Sequence, residues 1–302
     1  CVGPEVEAAV AELASGGVLL LENLRFHKEE TENDPGFAGR LAGLADVYVN
    51  DAFASAHRAH ASTEGIARHL PAVAGLLMAR EIEVLVRLLA EPARPFVVVL
   101  GGVKVSDKIG VIESMLAKAD SLLIGGAMCF TFFKEQGREV GTSLVEADKL
   151  DVARQALDAA ASSACEFLLP ADVVVAPEPA AGAPRKTVAA DGMPAGLMGL
   201  DIGPESVAAY TRRIAAAGSV FWNGPMGLFE IGDFAAGTRG VAEAVADCSG
   251  VTVTGGGDTV SALRTFGLEE KVTHVSTGGG ASMEFLEGRS LPGVEALLDA
   301  GE

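Results

Sequence analysis

The chain has 302 residues, 49% of them hydrophobic and 21% charged, and a formal net charge of −18 at pH 7. This length predicts two domains, or one large one, around an ample aliphatic core, and the composition excludes disorder. An acid excess of this size argues against nucleic acid or anionic membrane as a general partner, although a local cluster of Arg and Lys can still hold an anionic substrate.

Taken in chain order, the pattern predicts a helix over residues 5–13, a strand at Val18-Leu-Leu-Leu21, a helix over 37–44 and a strand at Asp46-Val-Tyr-Val49. A long helix over 75–90 follows, with an apolar stripe of Leu76, Leu77, Ile82, Leu85, Val86, Leu88 and Leu89, and it stops at Glu91-Pro92. Beyond it, strands at Phe96-Val-Val-Val-Leu100, Ser121-Leu-Leu-Ile124 and Phe167-Leu-Leu169 alternate with helices over 104–117 and 147–161, and residues 177–184 form a loop. Strands at Val220-Phe-Trp222, Val251-Thr-Val-Thr254 and Thr273-His-Val-Ser276 alternate with helices over 205–217, 238–246 and 259–266. The strands are short, apolar and mostly unalternated, as expected when both faces are buried, and repeated strand–helix order predicts parallel sheets with right-handed crossovers. No stretch is apolar for long enough to span a bilayer. Cys1, Cys129, Cys165 and Cys248 are scattered without a C-x-x-C, which reads as reduced thiols in a cytoplasmic protein.

Glycine turns follow the strands at Gly101-Gly102, Gly125-Gly126, Gly224-Pro-Met-Gly227, Gly255–Gly257 and Gly278–Gly280. In α/β sheets ligands bind beyond the carboxyl ends of strands, so these turns predict one binding edge. At Gly255-Gly-Gly-Asp-Thr259, glycines let backbone N–H groups approach a phosphate, and a helix start favours negative charge. Asp258 there repels phosphate unless a cation lies between, so the pattern points to a metal-chelated nucleotide, against the plainer reading of a tight turn.

Lys104 and Lys108 are spaced i, i+4, which places both on one face of a helix's first turn, aimed at polyphosphate or merely solvated. The turn Phe221-Trp-Asn-Gly-Pro-Met-Gly-Leu-Phe-Glu230 reads as a packed loop or as a nucleoside wall with Glu230 accepting from ribose hydroxyls. Arg25 and Arg58 each follow a predicted strand, suited to phosphate or carboxylate but equally to surface ion pairs. The spacing of His57 and His60 lacks a supporting metal-ligand pattern. No G-x-x-x-x-G-K-[ST] and no G-x-G-x-x-G occurs, which disfavours a P-loop enzyme and a dehydrogenase-type dinucleotide domain.

These motifs together resemble the phosphoglycerate kinase family: Glu22-Asn-Leu-Arg-Phe-His27, Asp51-Ala-Phe with His57-Arg-Ala-His-Ala-Ser62, Gly101-Gly-Val-Lys-Val-Ser-Asp-Lys108, Gly125-Gly-Ala-Met128, Gly199-Leu-Asp-Ile-Gly-Pro204, Trp222-Asn-Gly-Pro-Met-Gly227, Gly255–Thr259 and Ser276–Ser282. The resemblance implies two Rossmann-like three-layer αβα domains with parallel sheets joined by a long helix. It divides the chain into a partial glycerate-binding domain at 1–74, an interdomain helix at 75–92, a nucleotide domain at 93–286 and a tail at 287–302 returning toward the first domain. The implied activity is phosphoryl transfer between 1,3-bisphosphoglycerate and Mg-ADP, giving 3-phosphoglycerate and Mg-ATP, in a hinge-bending and usually monomeric protein.

By the same resemblance Arg25 and Arg58 bind the glycerate. Lys104 meets the transferring phosphoryl and Gly280 offers a backbone N–H to it. Lys108 and Thr259 meet the nucleotide phosphates, Gly199 and Met226 the adenosine and Glu230 the ribose, Gly224, Gly256 and Gly257 also bind the nucleotide, and Asp258 binds Mg²⁺. The family's Asp-x-Asn strand motif is not found here, so an N-terminally truncated chain with an incomplete glycerate site is expected, with a non-catalytic Mg-nucleotide-binding module as the alternative.

Overall fold

The computed structural model describes residues 1–298, which fall into two compact units: residues 1–83 with 280–298, and residues 84–279. The first unit opens with α1 (Pro4–Ala11), started by a proline whose missing N–H costs nothing there and by Glu5 and Glu7 in its first turn. α2 (Lys28–Thr31) and α3 (Pro35–Ala42) follow, the latter capped where Phe37 N–H donates to Asp34 Oδ1 at 2.7 Å. β1 (Tyr48–Asn50) and β2 (Ala72–Ala74) pair in parallel, and Phe37, Ala38, Leu41, Ala61 and Ile66 form the core.

Val18-Leu-Leu-Leu21, predicted as a strand, is irregular, with Val18 and Leu20 more than nine-tenths exposed at 92% and 93%. Strand propensity is satisfied only by a paired neighbour, and among the described residues β1 and β2 pair only with each other. α4 (Leu76–Ala90) has the predicted extent but a different buried stripe. Met78, Glu81, Leu85 and Leu88 are buried while Leu76, Leu77 and Val86 are exposed, because a 3.6-residue period puts only the former set on one face.

The second unit is built on a six-stranded, all-parallel sheet in the order β11-β10-β9-β3-β4-β5. Its first strands are β3 (Phe96–Leu100), β4 (Ser121–Ile124) and β5 (Glu166–Leu168), joined through α5 (Ile109–Leu116), α6 (Met128–Glu135) and α7 (Leu150–Ala161). A separate antiparallel sheet of β6 (Asp172–Ala176), β7 (Lys186–Ala189) and β8 (Met198–Ile202) follows, in the order β7-β6-β8. These strands were not predicted: β7 and β8 carry little apolar pattern, and the short apolar run of β6 at Val173-Val-Val175 was passed over.

α8 (Pro204–Ala215), β9 (Ser219–Asn223), α9 (Ala236–Asp247), β10 (Val251–Gly255), α10 (Gly257–Phe266) and β11 (His274–Val275) then complete the main sheet. β3, β4 and β9 are buried at every position, which explains their unalternated apolar sequence. Trp222, Tyr210, Ile214 and Val220 belong to the core on this sheet, and the Tyr210 hydroxyl donates to Ile124 O at 2.6 Å. Finally α11 (Gly280–Leu286) and α12 (Pro292–Leu298) belong to the first unit, where Gly293 N–H donates to Ala56 O at 2.8 Å.

Candidate active site

In the main sheet the chain runs outward from β3 through β4 to β5, and in the other direction from β9 through β10 to β11. The carboxyl ends of β3 and β9 therefore flank a topological switch point, where open α/β sheets bind ligands. Three of the glycine turns, at Gly101-Gly102, Gly125-Gly126 and 224–227, meet there backbone to backbone. Gly101 N–H donates to Asn223 O at 2.9 Å, Gly102 N–H to Pro225 O at 3.0 Å and Gly126 N–H to Met226 O at 3.0 Å. Gly224 has φ +95°, and a Cβ there would stand 2.3 Å from Gly101 O, so neither the backbone conformation nor the space accepts a side chain. The buried Trp222 indole donates to Gly224 O at 2.8 Å, and Gly224 N–H donates to Thr259 Oγ1 at 2.7 Å.

A cavity of about 610 Å³ opens against these turns, of a size suited to a nucleoside. It takes Met226, Leu228 and Glu230 from the turn after β9, Gly199 and Asp201 from β8, Phe130 from α6, and Asp258 at its edge. Gly199 is required by shape, because a Cβ would lie 2.0 Å from Phe130 Cζ. Of the predicted nucleotide residues, Gly199, Met226, Glu230 and Asp258 thus line one cavity. Phe130 and Asp201 were not singled out in the sequence, since nothing local announces that α6 and β8 face each other.

Asp201 is 3% exposed, and burial pushes its carboxyl up to about 7 against the opposing pull of the Gly237 and Ile202 N–H groups. Its Oδ2 accepts from Gly237 N–H at 2.6 Å and its Oδ1 from Ile202 N–H at 2.9 Å.

The lysines depart from expectation. α5 begins only at Ile109, so Lys104 and Lys108 do not share a helical face; Lys104 is exposed in the preceding loop and Lys108 is the N-cap residue. The loop is held in turns because Ser106 N–H and Oγ donate to Glu146 at 3.1 and 2.6 Å, and two cations at a helix start would oppose its dipole. Lys108 Nζ donates to Asn223 Oδ1, and Asn223 Nδ2 donates to Gly255 O at 2.8 Å, tying the start of α5 to the ends of β9 and β10.

At α10, Gly256 is the N-cap residue and Gly257 and Asp258 are exposed in the first turn. Thr259 is fully buried and its hydroxyl accepts from Gly224 N–H, so this side chain braces the neighbouring turn rather than standing open to a phosphate.

Arg25, Arg58 and Gly280 belong to the first unit. Arg25 sits in a 3-10 turn at Leu24–Phe26 and Arg58 in the loop after β1, where its Nε donates to His57 Nε2 at 3.2 Å. Burial lowers the His60 pKa from its ordinary value; Arg25, Arg58 and His57 add to this electrostatically, and Glu30 opposes it. Arg25 and Arg58 are the cations of this cluster, and His60 is held toward its neutral form. Gly280 begins α11 close to His57, whose Nε2 would be 3.5 Å from a Cβ there.

Among the described residues no group of three His, Cys, Asp or Glu is placed to hold a metal ion. Mg²⁺ is commonly held by one or two carboxylates plus substrate phosphates and retained waters, and the exposed Asp258 at the cavity edge fits that requirement.

A nucleoside-sized cavity at the switch point of a parallel sheet, edged by a lysine-bearing glycine loop and an acidic helix start, fits the class of α/β phosphotransferases. Residues 1–289 match the family described as phosphoglycerate kinase. The phosphoglycerate kinase of Pelotomaculum thermopropionicum is 58% identical over 299 residues, covering 99% of this chain and 76% of that protein. The cytosolic phosphoglycerate kinase of Nicotiana tabacum is 56% identical over 303 residues, with the same two coverages of 99% and 76%. The solved structure of phosphoglycerate kinase from Coxiella burnetii superposes with a TM-score of 0.90 at 44% identity, covering 95% of this chain and 74% of that one. The chain belongs to the phosphoglycerate kinase family, whose members are glycolytic phosphotransferases acting on nucleotide and phosphoglycerate substrates.

Proposed function

We propose that this chain catalyses reversible transfer of the acyl phosphate of 1,3-bisphosphoglycerate to ADP. The phosphorus–oxygen bond to the glycerate carboxyl breaks, a bond to an ADP β-phosphate oxygen forms, and the carboxylate of 3-phosphoglycerate leaves. Such a transfer needs alignment and charge compensation more than covalent help. Gly199 and Met226 would face the adenosine, Glu230 would accept from the ribose, and the backbone of Gly256 and Gly257 would turn N–H groups toward phosphate, while Gly224, its N–H taken by Thr259, would shape the turn beside the nucleotide. Lys108, fixed through Asn223, would lie at the nucleotide phosphates and the exposed Lys104 at the transferring group, with the Gly280 N–H as a further donor. Thr259 would serve by holding the turn at Gly224. Asp258 would hold Mg²⁺ with the nucleotide phosphates; that ion supplies neutralisation of their charge.

In the first unit Arg25 and Arg58 would bind the glycerate phosphate and carboxylate. We assign residues 1–74 to glycerate binding, 75–92 to the connecting helix, 93–286 to the nucleotide and 287–302 to a tail, in a monomeric cytoplasmic protein. The observation that carries the nucleotide reading is the joint placement of Gly199, Met226, Glu230 and Asp258 around one cavity. Calorimetric titration with ADP, with and without Mg²⁺, tests it. Asp258→Ala should weaken Mg-ADP by about tenfold, or ~1.4 kcal/mol, while changing metal-free ADP far less. Equal losses for both would refute the metal role, and no heat in the unsubstituted chain would sink the nucleotide reading.

A further inference from the structure

Glu30 is the one buried carboxylate of the first unit's cationic cluster, 3% exposed on the four-residue α2. Burying a carboxylate is costly unless its oxygens are occupied, and both are. Its Oε2 accepts from Ser62 N–H at 3.0 Å, and its Oε1 accepts from Ser62 Oγ at 2.6 Å and lies 3.7 Å from His60 Nδ1. Its own backbone carbonyl accepts from Ala61 N–H at 2.9 Å. One residue therefore grips three consecutive residues, 60–62, of the loop that carries Arg58.

The loop transmits that grip. Thr63 Oγ1 donates to Arg58 O at 2.7 Å and accepts from His60 N–H at 3.1 Å, so the Arg58 backbone is tied to the clamped segment. On the other side α2 follows directly from the Arg25 turn, where Arg25 N–H donates to Asn23 Oδ1 at 3.0 Å. The two arginines come from segments remote in sequence, and Glu30 joins those segments by hydrogen bonds, with Asn33 donating to Glu64 as a second link farther from the arginines.

We infer that Glu30 is a positioning residue for the anion site: through Ser62 it fixes Arg58 relative to Arg25, and so sets the geometry with which a phosphate or carboxylate is gripped. It touches no substrate itself. The inference rests on the reading of Arg25 and Arg58 as glycerate ligands. Two cations on flexible stems bind an anion well only when their spacing is set beforehand, and small misplacements are expensive.

The test uses the full chain and titration with 3-phosphoglycerate and, separately, ADP. Arg58→Ala probes the underlying reading, and Glu30→Gln and Ser62→Ala probe the clamp. Gln keeps the shape of Glu30 but removes its charge: either its Nε faces the Ser62 N–H and that bond is lost, or its Nε faces Ser62 Oγ, whose hydroxyl must turn to accept, and a charge-assisted bond becomes a weaker neutral one. Glu30→Gln and Ser62→Ala should each weaken 3-phosphoglycerate by roughly tenfold without changing ADP affinity, and the double variant should be no worse than the stronger single. A second readout is the titration of His60 followed by NMR. Arg25, Arg58 and His57 already oppose its protonation, as does its burial, and Glu30 favours it. Removing the Glu30 charge should therefore lower the His60 pKa further, whereas Ser62→Ala should leave it nearly unchanged. If Arg58→Ala weakens 3-phosphoglycerate and the clamp variants do not, the inference falls while the glycerate reading stands. If Arg58→Ala has no effect, the glycerate reading fails and the inference with it. If Glu30→Gln fails to fold, Ser62→Ala alone decides by the same measurement.

Discussion

Asp201 shows how a single buried carboxylate shapes the cavity wall. Its oxygens accept backbone N–H groups from Gly237 and Ile202, and the close approach of Gly227 and Gly237 leaves no room for a side chain on either. Burial holds its pKa at about 7, well above the value of 3.8 for a free carboxyl. The native state therefore binds more protons than the unfolded chain between those values. The Asp201 contribution to stability is greatest in acid and is lost as pH rises from about 4 to about 7. Asp201→Asn should lag behind or match the unsubstituted chain at low pH and gain on it through this window. Denaturant midpoints measured across the range check this, and a pH-independent difference would contradict it. At the same scale, Lys108 could be read from the sequence as a cation near a glycine turn. Its tether to Asn223 could not, because Asn223 lies at the end of a strand paired in the sheet rather than nearby in sequence.

Among the elements, the turn after β9 does the most to form the site, and Thr238 at the start of α9 holds it. The Thr238 hydroxyl accepts from Met226 N–H at 3.0 Å and from Gly227 N–H at 3.1 Å. Thr238→Val keeps the shape but leaves two N–H groups without an acceptor, so it should cost about 2 kcal/mol in denaturation and weaken ADP, with Thr238→Ser close to the original. A loss under about 0.5 kcal/mol would show that water or another group replaces the hydroxyl.

The element pattern also marks where sequence reading succeeds. β3 and β4 have their predicted limits because each is an apolar run, Ser121 at the head of β4 aside, and a glycine follows each. The start of α5 was misplaced because Glu146, some forty residues away, holds the preceding loop. In the β6, β7 and β8 sheet, β7 and β8 carry little apolar pattern and gain definition only from pairing with β6, whereas β6 holds a legible apolar run that was missed.

For the molecule as a whole, the two units differ in what holds their sheets. The central strands β3, β4 and β9 are flanked on both sides and fully buried, whereas β1 and β2 form a two-stranded sheet with Val49 and Val73 exposed. An isolated pair of strands is marginal in water. Amide hydrogen exchange should therefore show the strongest protection in β3, β4 and β9 and rapid exchange in β1 and β2; equal protection would overturn this account.

The sequence by itself determined the α/β class, the parallel strands and the glycine turns at their ends, because apolar runs and glycines act locally on backbone and burial. It also carried the family, through motifs spread along the chain. Only the tertiary structure decided that Thr259 and Thr238 brace turns, that Asp201 and Phe130 line the cavity, and that Glu30 grips the Arg58 loop. Those roles depend on which strand ends and loops meet in space, and that is set by the pairing order of the sheet and the packing of the core.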